Sequence, residues 1–341
     1  MSQFITLHIL RSMSNSTVTS NNFDIIHKAG LLSGLKVNDF CTIRNAIKYG
    51  GKNDIYVSSS IIDILKLHFS NRRRIVFWVQ GIIPEESFIR NNSKIRKYIL
   101  SLIEKAALKK AFICSFVSKS MEDHFRTKYS FKPKIQPYIF PCYNTEINKD
   151  AFHKPLKYEN NCFVYAGGLA KWQCFEETLK VYKYFEDLNI SNTKLIILTK
   201  DTISAQKMVQ KVGIKNYTID YVSKNDLPRI LSEAKFGFVI REKHIVNQVS
   251  TPTKISTYLS CGIIPIYGGS ILSFDQLAKN MKFAIKWEGQ TENYRDVEEK
   301  MNLHFNAEEV YKEYYKIFNT YFSTELHTKN ISNVFLKIIN S

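Results

Sequence analysis

Short apolar runs of strand length recur along the chain with longer helical patterns between them, and this alternation limits the fold more than any other feature. The runs are "FITLHIL", "DIYVSS", "RIVFWVQG" and "AFICSFVS" in the first part, then "CFVYAGG", "KLIILTK", "YTIDYV", "FGFVIRE" and "GIIPIYGG". Segments such as 93–110 and 175–189 between them carry apolar residues at i, i+3 and i+4. The pattern predicts two parallel-sheet α/β domains. They are separated by "FPCYNTEINKDAFHKPLKYENN" (140–161), which has prolines, several asparagines and no periodicity. This gives one domain over residues 1–145 and a second over 160–317. In two facing Rossmann-like domains, ligands sit beyond the carboxyl ends of the strands.

A chain of 341 residues has room for two cores. No apolar run approaches the roughly 18 residues of a membrane span. The start "MSQFITLHILR" is too short and ends in the wrong charge for a secretory signal. A cytoplasmic location is therefore expected. Cys41, Cys114, Cys142, Cys162, Cys174 and Cys261 are scattered without a C-x-x-C pair, which argues against zinc and against a disulfide framework. The net charge of +17 is uneven: residues 1–150 hold 23 basic and 11 acidic side chains, the rest 25 and 20. Such a surface attracts phosphates, whether in a nucleic acid, an anionic bilayer or a phosphorylated ligand. A nucleic-acid partner is disfavoured, because the basic residues are spread along helices and no recognition motif accompanies them.

The stretch "NQVSTPTKISTYLSCGIIPI" (247–266) starts a helix. Pro252 suits the first helical position, which makes Thr251 the expected N-cap and puts Thr253 and Lys254 in the first turn. Unpaired N–H groups, the positive end of the helix dipole and a lysine together make an anion site, phosphate above all. An ordinary capped helix with a solvated lysine is the alternative. In "FVYAGGLAKWQ" (163–173), a strand runs into a glycine turn where backbone N–H groups approach a ligand at Gly167 and Gly168. Arg241 directly follows a buried-strand pattern and so falls at a carboxyl end. Lys171, Arg241 and Lys254 can then converge on one diphosphate.

With "VFWVQGIIPEES" and "KKAFICSFVSKSM" in the first domain, "VYAGGLAKWQ" opening the second and "REKHIVNQVSTPTKISTYLSCGIIPI" further on, the chain resembles the retaining, family-4-like GT-B glycosyltransferases of bacterial surface-polysaccharide (O-antigen and capsule) gene clusters. The resemblance spans roughly residues 75–270. It implies a GT-B fold and transfer of a sugar from a nucleotide-diphosphate donor on the second domain to a glycan or polyprenyl-linked acceptor on the first. It also implies that a helix within about 318–341 packs back on the first domain. Gly168 stands where relatives commonly have arginine, Thr257 where many have a ribose-binding glutamate, and Gln80 where they often have histidine. No imidazole is then available at position 80 as a general base.

The roles implied are charge stabilisation at the leaving phosphates by Arg241 and Lys254, and donor contacts from Gly167, Gly168, Lys171, Asn247, Thr251, Thr253 and Thr257. Glu242 either hydrogen-bonds the transferred sugar or pairs with a lysine. Tyr221 either touches the base or sits in the core. Glu85 and Glu86, with Gln80 and Gly81, lie on the acceptor side, where the two glutamates orient a hydroxyl or serve as caps. No D-x-D pair occurs, so no metal and no cofactor beyond the donor are expected. A sugar-nucleotide epimerase on the same fold and a catalytically silent partner subunit are the rival readings, besides the nucleic-acid binder. Residues 90–110 form a basic amphipathic helix whose Ile95, Ile99, Leu102 and Ala106 are expected to pack on its own sheet. Its Lys94, Arg96 and Lys97, with Arg72, Arg73 and Arg74, are expected to face an anionic leaflet, making the protein peripheral on the inner face of the cytoplasmic membrane.

Overall fold

The apolar runs become strands of two parallel sheets, central ones in every case but "YTIDYV", which forms an edge. The structure, a computed structural model, describes residues 5–11, 17–188, 193–223, 225–289 and 294–340. Phe4 and Asn189, at the margins of two of the patterns above, lie outside these. Two compact units form: residues 1–144 with 249–251 and 322–341, and residues 145–248 with 252–321.

In the first unit the chain runs β1 (Thr6–Leu10), α1 (Thr17–Leu32), β2 (Lys36–Phe40), α2 (Ile43–Tyr49), β3 (Ile55–Ser58), α3 (Ile61–Phe69), β4 (Arg74–Val79), α4 (Ile83–Asn91), α5 (Lys94–Lys110), β5 (Ile113–Phe116), α6 (Lys119–Tyr129) and β6 (Tyr138–Ile139). All pairings are parallel, in the order β2-β1-β3-β4-β5-β6. Right-handed crossovers put α3 and α5 together on one face of this sheet and α1 on the other. Serine N-caps start α3, α5 and α6, each hydroxyl accepting the N–H three residues on.

The second unit runs α7 (Lys149–Phe152), β7 (Cys162–Ala166), α8 (Phe175–Asp187), β8 (Lys194–Leu198), α9 (Thr202–Val212), β9 (Tyr217–Asp220), α10 (Leu227–Leu231), β10 (Phe236–Val239), α11 (Ile245–Gln248), α12 (Thr253–Ser260), β11 (Ile264–Gly268), α13 (Leu272–Ala278), β12 (Ile285–Trp287), α14 (Tyr294–Met301) and α15 (Ala307–Thr320). Its parallel sheet has the order β12-β11-β10-β7-β8-β9. The order reverses at β7, the kind of place where ligands bind at the strands' carboxyl ends. The last helix, α16 (Thr324–Ile339), belongs to the first unit and packs along α1.

The orientation of α5 is the reverse of the expected one. Glu104, Ala107 and Leu108 are buried, whereas Ile95, Tyr98, Ile99 and Leu102 are exposed. The cause is a polar interior: Glu104 accepts the Ile83 N–H (3.0 Å) and the Tyr129 hydroxyl (2.7 Å) and pairs with Lys128 (3.2 Å), which turns that side of the helix inward. Among the described residues, no helix is long and apolar enough to cross a membrane.

Candidate active site

A pocket of about 1040 Å³ lies in the second unit at the carboxyl ends of its strands. Ile240 and Arg241 after β10, Gly268 and Gly269 at the end of β11, and Glu288 after β12 contribute to its wall, and Leu169, Ala170 and Lys171 close it after the β7 turn.

The β7 turn is built around Tyr165. Its hydroxyl donates to the Gly168 carbonyl (2.6 Å), and its ring carries the Lys254 ammonium 4.0 Å above the centroid, a cation–π contact. A Cβ on Gly167 would lie 3.0 Å from Gln173 Oε1 and 3.2 Å from Lys254 Nζ, so any larger residue there would press on both side-chain ends. From α12, the buried Tyr258 hydroxyl accepts the Ala166 N–H (2.9 Å), fixing helix to strand.

Arg241 and Lys254 share this end of the sheet. Among the described residues neither forms an ion pair, and Arg241 Nε is buried with no hydrogen-bond partner. Burial lowers the Arg241 pKa; burial first, and then the Arg241 charge, pushes Lys254 well below the usual lysine range. Two basic groups close enough to depress one another's charge, at the carboxyl ends of the strands, suit an anion that would restore both charges. Lys171 is exposed on the pocket wall, as is Glu242, for which no lysine partner is found among the described residues. The Lys254 ammonium itself sits behind Gly167, beside the wall.

Several expected contacts are otherwise engaged. Pro252, not Thr251, caps α12, and it offers no side-chain acceptor; Thr251 Oγ1 instead accepts the Cys142 N–H (3.0 Å) in the first unit. The Thr257 hydroxyl donates to the Thr253 carbonyl one turn back (2.9 Å), so its proton is not directed at a ribose. Thr253 supplies that carbonyl in the first turn of α12. Asn247 is buried and donates to the carbonyls of Glu242 (2.9 Å) and Trp172 (3.3 Å); it ties the Arg241 loop to the Lys171 turn and does not line the pocket. Tyr221 is 58% exposed beyond edge strand β9, neither in the core nor on the pocket wall.

In the first unit, Gln80 and Gly81 follow β4, and the Glu86 carboxylate lies so close to Gly81 that a Cβ there would displace it. Glu86 pairs with Arg90 (3.2 Å), and burial raises its pKa. Glu85 is not a free acceptor-side carboxylate. It is buried against Lys128 (2.9 Å), with Lys97 at 3.7 Å. Burial also pushes neighbouring Glu104 up to about 7. Arg72 is only 9% exposed, its guanidinium donating to the carbonyls of Ile47 (2.6 Å), Ser70 (2.7 Å) and Gly50 (3.1 Å), so it is no surface cation. Arg73 is exposed, Arg74 donates to the Asn53 carbonyl, and Lys94 and Arg96 are exposed, whereas Lys97 is drawn in by Glu85.

Tyr165, Gln173 and Tyr258 escaped the sequence reading. The tyrosine two residues before the glycine pair in "VYAGG" was the available signal.

No family model and no curated protein matches the chain. Solved structures do. A glycosyltransferase from Rickettsia africae superposes with a TM-score of 0.67 at 10% identity, covering 98% of each chain. WaaG, a glycosyltransferase involved in lipopolysaccharide biosynthesis, gives 0.64 at 11% identity over 96% of this chain and 99% of its own. A mutant TarM of S. aureus, in complex with UDP, alpha-GlcNAc-glycerol and fondaparinux, gives 0.62 at 11% identity over 88% of this chain. The chain spans 58% of that TarM. At such identities the likeness concerns the fold, two Rossmann-like units of the GT-B type.

Proposed function

We propose that the chain is a glycosyltransferase that takes a sugar from a nucleoside-diphosphate donor held in the second unit. The observation that carries this is the Arg241–Lys254 pair at the carboxyl ends of the second unit's strands, neither of them ion-paired among the described residues. As the glycosidic bond breaks, charge develops on the leaving diphosphate, and preorganised cations there lower the barrier. Arg241 and Lys254 hold those phosphates, the uncapped first turn of α12 adds its N–H groups, and Glu242 orients the sugar. The UDP of the TarM complex makes a uridine nucleotide the first donor to try. The acceptor we favour is a glycan or polyprenyl-linked sugar of a surface polysaccharide, with retention at the anomeric carbon and no metal requirement. The Thr257 hydroxyl bond favours a ribose contact made elsewhere than in relatives that use glutamate there.

The test is nucleoside diphosphate release and sugar transfer across a panel of labelled donors. Arg241→Ala and Lys254→Ala should each lower turnover by about 10²–10³ with the fold intact. Wild-type turnover in either folded variant would refute the site, and reversible loss of activity in EDTA would refute metal independence. An epimerase would change the donor sugar without releasing the diphosphate, and a silent subunit would do neither.

A further inference from the structure

The outward side of α5 is an apolar stripe edged with cations, and among the described residues no other element of its unit covers it. Opposite the buried Glu104, Ala107 and Leu108, helical spacing lines up Tyr98, Leu102, Ile95 and Ile99, which are 66, 53, 76 and 50% exposed. Lys94 and Lys105 border one edge of the stripe, Arg96 and Lys110 the other, and Lys109 ends it. The one acidic residue of the helix, Glu104, faces inward. From the same face of the sheet, α3 exposes Ile62 and Phe69.

We propose that α5 is an in-plane membrane anchor, its stripe entering the acyl boundary of an anionic bilayer while the flanking lysines and arginine meet the lipid phosphates. Large apolar side chains on the solvent side of a soluble helix incur a hydration cost that a bilayer relieves, and cationic edges are the complement of anionic headgroups. A second copy of the chain fits less well. A two-fold pairing of this face brings the cationic edges of the two helices towards one another, with no exposed acidic residue on α5 to offset them. The inference rests on this face alone and stands or falls independently of the donor site.

Full-length protein is co-sedimented with vesicles of phosphatidylcholine, and of phosphatidylcholine with phosphatidylglycerol. Binding is expected to the anionic vesicles. Ile99→Ser with Leu102→Ser should weaken it about tenfold or more, and Lys94→Glu with Lys105→Glu comparably. A Tyr98→Trp variant should shift its emission to the blue on those vesicles, reporting insertion. Circular dichroism checks that the surface variants are folded. No binding to either vesicle, equal binding to both, or undiminished binding by the serine variant would overturn the proposal, the last by reducing attachment to charge alone. A wild-type dimer that the serine substitutions dissociate, without vesicle binding, would assign the face to a second copy instead.

Discussion

The Lys254 ammonium rests 4.0 Å above the ring of Tyr165, whose hydroxyl donates to the carbonyl of Gly168. One buried side chain therefore shapes the glycine turn and seats the cation. The two tasks are separable. Tyr165→Phe keeps the platform and loses one hydrogen bond, at about 1 kcal/mol of stability, and should leave nucleoside diphosphate affinity within about threefold. Tyr165→Leu removes the ring as well and should weaken binding about tenfold, by the loss of a desolvated cation–π contact. Calorimetric titration with UDP on both variants decides; equal affinities would mean the ring does not position Lys254.

Lys254 gives the site a proton signature. Burial and Arg241 hold its pKa well below the usual lysine range in the empty site, and a bound diphosphate raises it. The complex then binds more protons than the free protein at pH values between the two pKa values. Nucleotide binding should take up protons there, and affinity should fall as pH rises through the window. Titrations over a series of pH values in buffers of different ionisation enthalpy locate and measure the uptake. It should vanish in Lys254→Met; persistence in that variant would assign the proton elsewhere.

The Glu85–Lys128–Glu104 cluster yields a stability prediction. Lys128→Met leaves two buried carboxylates, with Lys97 3.7 Å from Glu85 as the remaining cation, and should cost about 3–5 kcal/mol near neutral pH. Glu104, already raised to about 7 in the wild type, escapes part of the cost by taking a proton. The folded variant then holds more protons than the unfolded chain, so its stability falls as pH rises from about 5 to 8. Urea unfolding at both values should show the larger deficit at the higher pH. A deficit independent of pH would mean the carboxylates are not what Lys128 stabilises.

The two α/β units were legible because all but one of the runs that announce them are central strands, the exception being edge strand β9. The strands that the sequence reading passed over, β2, β6 and β12, all lie at sheet edges. β2 reads "KVNDF" and has no fully buried residue, β6 is two residues long and β12 three, so none of them makes an apolar run. At the site, Arg241 and Lys254 were legible from their places after a strand and in a first helical turn. The engagement of Asn247 and Thr251 was not, because their polar groups meet backbone atoms of Trp172 and Cys142, far away along the chain; the Thr257 bond to Thr253, one turn back, is the ordinary one for a helical threonine. Lys128, 24 residues from Glu104, likewise gave no local sign that it would turn α5 over.

Arg72 marks how far charge counting misleads in the first unit. Three adjacent arginines read as one basic patch, yet Arg72 is buried and satisfies three carbonyls, those of Ile47 and Gly50 at the end of α2 and of Ser70 after α3, while Arg73 stands in solvent. Charged donors to buried carbonyls contribute well above neutral ones, so Arg72→Met, which keeps the apolar stem and strands those carbonyls, should cost about 2–4 kcal/mol. Arg73→Ala should stay within about 0.5 kcal/mol of wild type. If chemical denaturation gave both variants the same stability, the guanidinium network around Arg72 would contribute nothing to the fold. Vesicle binding should show the converse order among folded variants: Arg73→Ala removes a surface charge, whereas Arg72→Met removes one that the bilayer does not meet.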